Sequence, residues 1–582
     1  MRAISHLNTA AYLIHTALRR IGCSGRMPFQ ANFTELKLGS FAAAALLSLI
    51  VGCGSTNTQS VTPPVNASLN FSAIPAITAS LGTQISTVNL SNYVQGGSAP
   101  YSYSLISQTA SNTIAVALSG ATLSSDYAYR GGSNTIAIQV TDSAHATATS
   151  AVTVTVPVPS VAAKVFGIDF SPYEAGQSPS VGAIGISQLT QRIGAIAPYT
   201  QWIRSYSSTN GLENVGAIGH KFGLKVCMGA AIGSDTSANG ANATEMANLI
   251  QHALNGEADC AVVGTEALFN MYVTPSQLMA YINQFRAAVS NVPVATSDTY
   301  FELLTTPSVV NDGDFLFVNY YPYWEGVDIS VALADLNAED ALLRLTYPGF
   351  ANNIWISETG WPSGGNTVAN QTGTMNAVPS PANAASYFLD FESWGQSGQR
   401  KTFYFEGFDE AWKATSTAPQ QALFGIFDQT GTMKYGSNVF AGQTQSDNWT
   451  CTIIPGGAGT STVQLTPPIP PRLPVEPPNG SVSLLQGQAL HINPATSYVV
   501  VYIHVGSAGW YVKPYLTAPL TILNCDGTWT ANIDTGGSDA TADQVAAFVI
   551  PSTYSPPLLQ GAQTLPTALY SNAIANVIFT RP

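Results

Sequence analysis

The chain has 582 residues, too many for one hydrophobic core, so three or four domains are expected. A hydrophobic content of 45% excludes global disorder, and a charged content of only 9% leaves a neutral, hydroxyl-rich surface that suits an exported protein. The net charge of −13, with no basic stripe, argues against nucleic acid as a partner.

In chain order, residues 1–53 read as an export signal. The apolar run Phe41 to Val51, FAAAALLSLIV, is too short to span a bilayer but suits the apolar region of a signal peptide, with Lys37 ahead of it. Residues 1–26 are unlike such a signal, so Met27 is a candidate start. Ile50-Val51-Gly52-Cys53 resembles a bacterial lipoprotein box. Cleavage before Cys53 would leave a lipid-modified N-terminus followed by a tether over 54–67. The expectation is an exported bacterial lipoprotein, periplasmic or at the cell surface, touching the membrane through that lipid only. An ordinary cleaved signal with an incidental Cys53 is the alternative.

Residues 68–158 carry alternating runs such as Thr135–Val140 and Ala151–Val156, broken by Gly96-Gly97 and Gly131-Gly132. That spacing predicts an immunoglobulin-like β-sandwich. Across 163–442, apolar strand-like runs alternate with helical stretches such as Pro275–Val289 and Asp328–Leu345. The predicted strands are Val165–Phe170, Trp202–Tyr206, Leu224–Met228, Cys260–Val263, Val292–Ala295, Phe315–Tyr320, Ile354–Ser357 and Thr402–Phe405. Their count and spacing predict a (β/α)8 TIM barrel. Residues 443–480 read as a Pro-rich, extended linker. Residues 481–582 read as a second small β-sandwich, with Leu520–Asn524 and Trp529–Ile533 as a hairpin about Asp526-Gly527. Trp510 and Tyr511 read as core or spacer. Cys227 and Cys260 fall on neighbouring strands, but the pairing of the cysteines is not fixed by sequence. Neither CxxC nor Cys/His metal spacing occurs, and no metal or cofactor is implied.

Glu266 ends the fourth barrel strand and Glu358 the seventh. Active sites of such barrels lie at the C-terminal strand ends. Paired carboxylates there are what glycoside hydrolysis requires, one protonating the leaving oxygen and the other attacking the anomeric carbon or activating water. Aromatic residues crowd the same end. Asn319-Tyr320-Tyr321-Pro322-Tyr323-Trp324 follows the sixth strand, Trp361 follows Glu358, and Trp412 follows the eighth strand. Sugar rings stack on such faces. Glu406, Asp409, Glu410 and Lys413 offer a charged floor, and Arg204 ends the second strand where it can orient a carboxylate.

At these residues the chain resembles glycoside hydrolase family 17, the β-1,3-glucanases, in its bacterial and fungal branch. The resemblance spans Val165 to Gly442 and rests on Phe170-Ser-Pro-Tyr173, Trp202-Ile-Arg-Ser205, Val263-Gly-Thr-Glu266, Asn319 to Gly326, Ile356-Ser-Glu-Thr-Gly-Trp-Pro-Ser363 and Tyr404 to Lys413. It implies a retaining double displacement on β-1,3-glucan, with Glu266 as acid/base and Glu358 as nucleophile. It implies supporting roles for Glu410 and Lys413, and places Tyr320 near the nucleophile. Arg204, Thr265, Tyr323, Trp324 and Trp361 complete the expected substrate-binding set. One departure is Thr265, where the family has Asn before the acid/base; a second is Ala411, where it has Pro. The expectation is a monomeric hydrolase of β-1,3-glucan. A glucanosyltransferase, a non-catalytic glucan-binding lipoprotein and a structural envelope protein are the alternatives.

Overall fold

The computed structural model describes residues 67–371, 373–436, 440, 451, 454–473, 483–516 and 519–581. The expected export signal, Cys53 and the tether up to residue 66 lie outside the described residues. Strict alternation builds the N-terminal unit. Gly132–Thr141 and Thr147–Val156 pair antiparallel, each burying every second residue. They lie in a four-stranded sheet with Ile77–Thr78 and Ser102–Gln108, facing a three-stranded sheet of Val88–Asn89, Thr122–Ser125 and Val116–Ser119. Ile136, Ile138, Val152 and Val154 meet Leu90, Ile114 and Leu123 in the core between them.

A glycine contact seats this unit on the barrel. A Cβ on Gly82, at φ +75, would lie 2.3 Å from the Thr190 carbonyl oxygen, and one on Gly194 would lie 2.7 Å from the Gly82 nitrogen. Only glycine permits that approach of loop to helix. Tyr129 adds an edge contact to Phe222 at 5.1 Å.

Eight parallel strands then close a barrel in sequence order. They are β1 (Val165–Asp169), β2 (Thr200–Arg204), β3 (Lys225–Ala230), β4 (Cys260–Thr265), β5 (Val294–Thr299), β6 (Leu316–Asn319), β7 (Ile354–Glu358) and β8 (Lys401–Tyr404). Helices cover the outside. The Pro275–Ala288 helix begins with a reciprocal cap, Thr274 accepting from the Gln277 backbone and Gln277 from that of Thr274. Inside, Phe166, Trp202, Phe317, Trp355 and Phe403 pack together with Cys227 and Cys260. This apolar plug fills the lower barrel, and two positions beyond Trp202, Phe317 and Trp355 the strands carry Arg204, Asn319 and Ser357, which form a polar layer above it. Cys227 and Cys260 are register partners on β3 and β4 and form a disulfide.

The C-terminal unit comprises two sheets around a shared core. One is β9 (Thr462–Leu465), β10 (Leu484–Leu490) and β14 (Thr528–Asn532). The other is built on β11 (Ser497–Val505), flanked by β12 (Gly509–Lys513), β13 (Leu520–Ile522) and β15 (Gln544–Pro551), with β16 (Gln560–Ala562) and β17 (Ala575–Thr580) at its edges. Trp510 is buried, in a core cluster with Val500, Val512 and Phe548.

Two expectations for this region are corrected. The stretch read as a free linker contributes β9, which pairs with β10, and its proline-rich part is strapped down: the Arg581 guanidinium donates to the Pro470 and Pro471 carbonyls and Leu473 N–H donates to Ala540. Proline cannot donate to a ladder, but its carbonyl still accepts, which is how this segment is held. The strands about Asp526-Gly527 are not a hairpin, because β13 pairs with β11 while β14 pairs with β10. The turn is local only, and its Gly527 at φ +86 has the Ala489 carbonyl oxygen 2.1 Å from where a Cβ would sit.

Cys451 is bonded to Cys525 across 74 residues. Closing a loop of that length constrains the unfolded chain, so Cys451→Ser is expected to destabilise the C-terminal unit by about 2–4 kcal/mol. Calorimetry reads this as an earlier transition; an unchanged transition would contradict it.

Candidate active site

β2, β5, β6 and β7 each place a polar side chain on the plug. Arg204 is fully buried and lies over Phe317 at 5.0 Å. Its guanidinium donates to Glu358 Oε1 at 2.8 Å, to the Ser357 carbonyl at 3.1 Å and to Thr265 Oγ1 at 2.9 Å, with Asp169 at 3.5 Å. Tyr321 donates its hydroxyl to Glu358 Oε2 at 2.8 Å. Both oxygens of Glu358 are therefore held in place by donors, one of them cationic.

Glu266 is held differently. Burial, and then the charge of Glu358, push its carboxyl up to about 7. Its one side-chain donor is Asn319 Nδ2, at 2.9 Å from Oε1. The amide orientation follows from the other end: Asn319 Oδ1 accepts from Ser297 Oγ at 2.9 Å and from Ser357, leaving the NH2 group toward Glu266.

Both glutamates sit at breaks in strand regularity. Pairing shifts between Val318 and Asn319 on the β6–β7 ladder, bringing Glu358 opposite Asn319. Pairing also shifts between Val262 and Thr265 on β4, and Glu266 then adopts φ +51. A left-handed glutamate is strained backbone of the kind that recurs at functional sites, and its N–H is fixed by donating to the Ser297 carbonyl at 2.8 Å.

The structure redistributes the expected aromatics. Tyr320 is fully buried and stacks on Tyr300 at 6.1 Å, away from the carboxylates. Period-two alternation explains this: Phe317, Asn319 and Tyr321 point inward, so Tyr320 points out to the helices, and the tyrosine beside Glu358 is Tyr321. Tyr323 and Trp361 are also fully buried, edge to face at 5.3 Å; Tyr323 donates to the Asn366 carbonyl and Trp361 to that of Val378, so both shape the loops and neither faces the cavity. Trp324 does line the cavity and is partly exposed, beside Phe424. Phe269, Phe301, Phe405 and Phe424 join it, none of them singled out from sequence. Asn319 was quoted there only within a motif, although a lone amide closing the apolar run Phe315–Val318 was its signal.

At the β8 end, Lys413 lines the cavity and pairs with Glu406 at 2.8 Å and with Glu410. Burial alone would raise Glu410, but Lys413 and the hydrogen bonds around it, including one from Ser171, hold it below the usual range. Burial and Glu410 hold Glu406 well above that range. The site floor thus pairs two acids with one lysine. Trp412 donates its indole N–H to Glu410 at 2.8 Å.

Among the described residues, one cluster has the ligand character of a metal site: Glu325, Asp335 and Glu339 bring oxygens within 4.8 Å of one another. Glu325 and Asp335 line the same cavity as Glu266 and Glu358, and Cys525 N–H donates to Asp335 at 3.0 Å. Burial first, and then Asp526, push Asp335 up to about 7; burial and neighbouring acids raise Glu325 and Glu339 as well. A folded-state value above the unfolded one means that this contribution to stability is complete below about 4 and is lost as pH rises through about 7. The thermal midpoint is expected to fall by several degrees over that interval, and Asp335→Asn to flatten the dependence; parallel slopes would contradict it.

A closed parallel barrel with two carboxylates at its C-terminal mouth, Glu358 buried and Glu266 partly so, is the arrangement that glycoside hydrolysis uses. Residues 167–425 match the model of the BtgE/BtgC glycoside hydrolase domain. The chain is 24% identical to a glucan 1,3-beta-glucosidase of Saccharomyces cerevisiae, covering 43% of this chain and 84% of that protein. It is 27% identical to one from Schizosaccharomyces pombe, covering 42% and 78%. A solved family 17 beta-1,3-glucanosyltransferase from Rhizomucor miehei aligns over 48% of this chain and 98% of its own, at 26% identity and a TM-score of 0.40. Residues 167–425 are thus similar to glycoside hydrolase domains, the likeness lying within the barrel.

Proposed function

We propose that this protein hydrolyses β-1,3-linked glucan by double displacement. The observation that carries the mechanism is how differently the two glutamates are held: Glu358 accepts from Arg204 and Tyr321 on its two oxygens, while Glu266 accepts from Asn319. Glu358, bound by Arg204 and Tyr321, is the carboxylate that attacks the anomeric carbon. Glu266, with a value about 7, carries the proton that the leaving oxygen needs and then takes one from the incoming water. Bond-making at Glu358 gives a neutral ester as the glycosidic C–O bond breaks; the departing oxygen keeps that electron pair and takes the Glu266 proton, leaving Glu266 as the carboxylate, while the Arg204–Tyr321 pair keeps the Glu358 side chain in line. The choice of β-1,3-glucan is supported by the fungal glucan 1,3-beta-glucosidases to which the barrel is similar.

Thr265 belongs to the same reading. Its hydroxyl accepts from Arg204, so it ties the Glu266 strand end to the guanidinium that serves Glu358. Export as a lipoprotein through Cys53, a monomeric state and an immunoglobulin-like N-terminal spacer remain parts of this proposal, motivated by the sequence.

The test is incubation of residues 54–582 with laminarin and defined β-1,3-gluco-oligosaccharides, products read by mass. Shorter products are expected. Longer products would mean that a sugar hydroxyl replaces water. Binding without turnover would contradict the proposal and favour a glucan-binding protein.

A further inference from the structure

The cavity that holds Glu266 and Glu358 does not end at the barrel. Its volume is about 1080 Å³, and its far wall is made by the C-terminal unit, through Thr466, Gln486, Asn524, Thr528 and Thr530. Small-molecule pockets occupy about 300–1,000 Å³, so this space suits an oligomer and not a single sugar.

Strand register explains why that wall is polar. On β10 and β14, Leu485, Ala489, Trp529 and Ala531 enter the core of the C-terminal unit. The intervening residues therefore share the other face, where Gln486 stands opposite Thr530 and Gln488 opposite Thr528. That face offers amides and hydroxyls. Uncharged donors and acceptors of this kind match the hydroxyls of a neutral sugar chain. Trp529 lines the cavity as well, and its indole N–H has no hydrogen-bond partner.

The wall is also held in place. The Cys451–Cys525 disulfide, the Cys525 N–H bond to Asp335 and the Asn370 bond to Asp526 at 3.4 Å fix the loop before β14. Behind it, Leu304, Leu342 and Leu345 of the barrel side line a small cavity together with Leu484, Tyr515 and Leu520. A wall fixed at this many points is preorganised for binding, which lowers the ordering cost of holding a long chain.

We propose that the Gln486–Thr530 face of the C-terminal unit forms distal subsites for the glucan chain, so that the length of chain bound is set by both domains. This rests on the function proposed above. It gives the C-terminal unit a role that the matched family model does not reach, since its matched residues end at 425.

The test measures affinities of β-1,3-gluco-oligosaccharides of two to six units by calorimetry. It uses the full-length Glu358→Gln protein, which holds chains without cutting them, with and without Gln486→Ala and the isosteric Thr530→Val. In the parent, affinity is expected to keep rising to the longest chains. The added substitutions are expected to reduce that long-chain gain by about 10-fold, the scale of two lost hydrogen bonds. Thr530→Val alone gives the same readout, at smaller amplitude, if the combined variant does not fold. An unchanged dependence on chain length would overturn the inference while leaving the proposed function intact. Failure of the unmodified protein to turn over any β-1,3-glucan would instead overturn the proposed function itself.

Discussion

Glu358→Gln is expected to lower kcat/KM on β-1,3-glucan by more than about 10⁴-fold, an increase of roughly 5.5 kcal/mol in the barrier. The amide oxygen still accepts from Arg204 and the amide NH2 faces the Tyr321 hydroxyl oxygen, to which it donates, so the bound chain keeps its place. What is lost is the electron pair that forms the glycosyl-enzyme. Arg204 retains Asp169 at 3.5 Å, so the substitution does not strand its charge. The variant should bind oligosaccharide with an affinity near that of the parent, read by calorimetry. Loss of binding in parallel with activity would mean that Glu358 holds substrate and performs no chemistry.

The second large effect concerns Glu266. Its carboxyl lies at about 7 because burial, reinforced by the neighbouring charge of Glu358, disfavours ionisation. As a general acid it works only when protonated. Activity is therefore complete below that value and lost as pH rises through about 7, giving an alkaline limb in kcat/KM. Glu266→Gln is expected to remove the limb and to cost about 10²–10⁴-fold on glucan. The loss should be much smaller on an aryl glucoside, whose leaving group departs without a proton. A limb that persists in Glu266→Gln would assign the proton to another group, and Asp298, held up to about 6 by burial, would be examined next.

The eight barrel strands were legible because each is an apolar run between helical stretches, and both glutamates stood out as acids at strand ends. What sequence obscured was side-chain direction. Tyr320, Tyr323 and Trp361 looked alike as rings near the site, yet all three are buried among loops and helices, and Tyr321 alone of the adjacent pair meets Glu358. Counting by twos from Phe317 gives Tyr321. The same count fails for Glu358 itself, because the register shift against Asn319 turns it inward. Asn319 was passed over because an amide has no charge to draw attention, and its value comes from Ser297 and Ser357, on other strands.

Long-range pairing was the other gap. Local turn chemistry at Asp526-Gly527 suggests a hairpin, but the strands on either side join different sheets. Prolines between 466 and 478 suggest a free linker, yet the carbonyls of Pro470 and Pro471 are held by Arg581, more than a hundred residues away. The link between Cys451 and Cys525 and the approach of the C-terminal unit to the cavity depend on packing between units, which no local pattern encodes.

The account turns on a covalent bond between glucan and Glu358, and trapping that bond tests it most directly. A 2-deoxy-2-fluoro glucosyl donor with a good leaving group slows both displacements but breakdown more than formation, so the intermediate accumulates. Intact-mass measurement is predicted to show one added fluoroglucosyl unit, mapped by peptide sequencing to Glu358 and absent from Glu358→Gln. Turnover of glucan with no adduct on either glutamate, or an adduct on Glu266, would contradict the account.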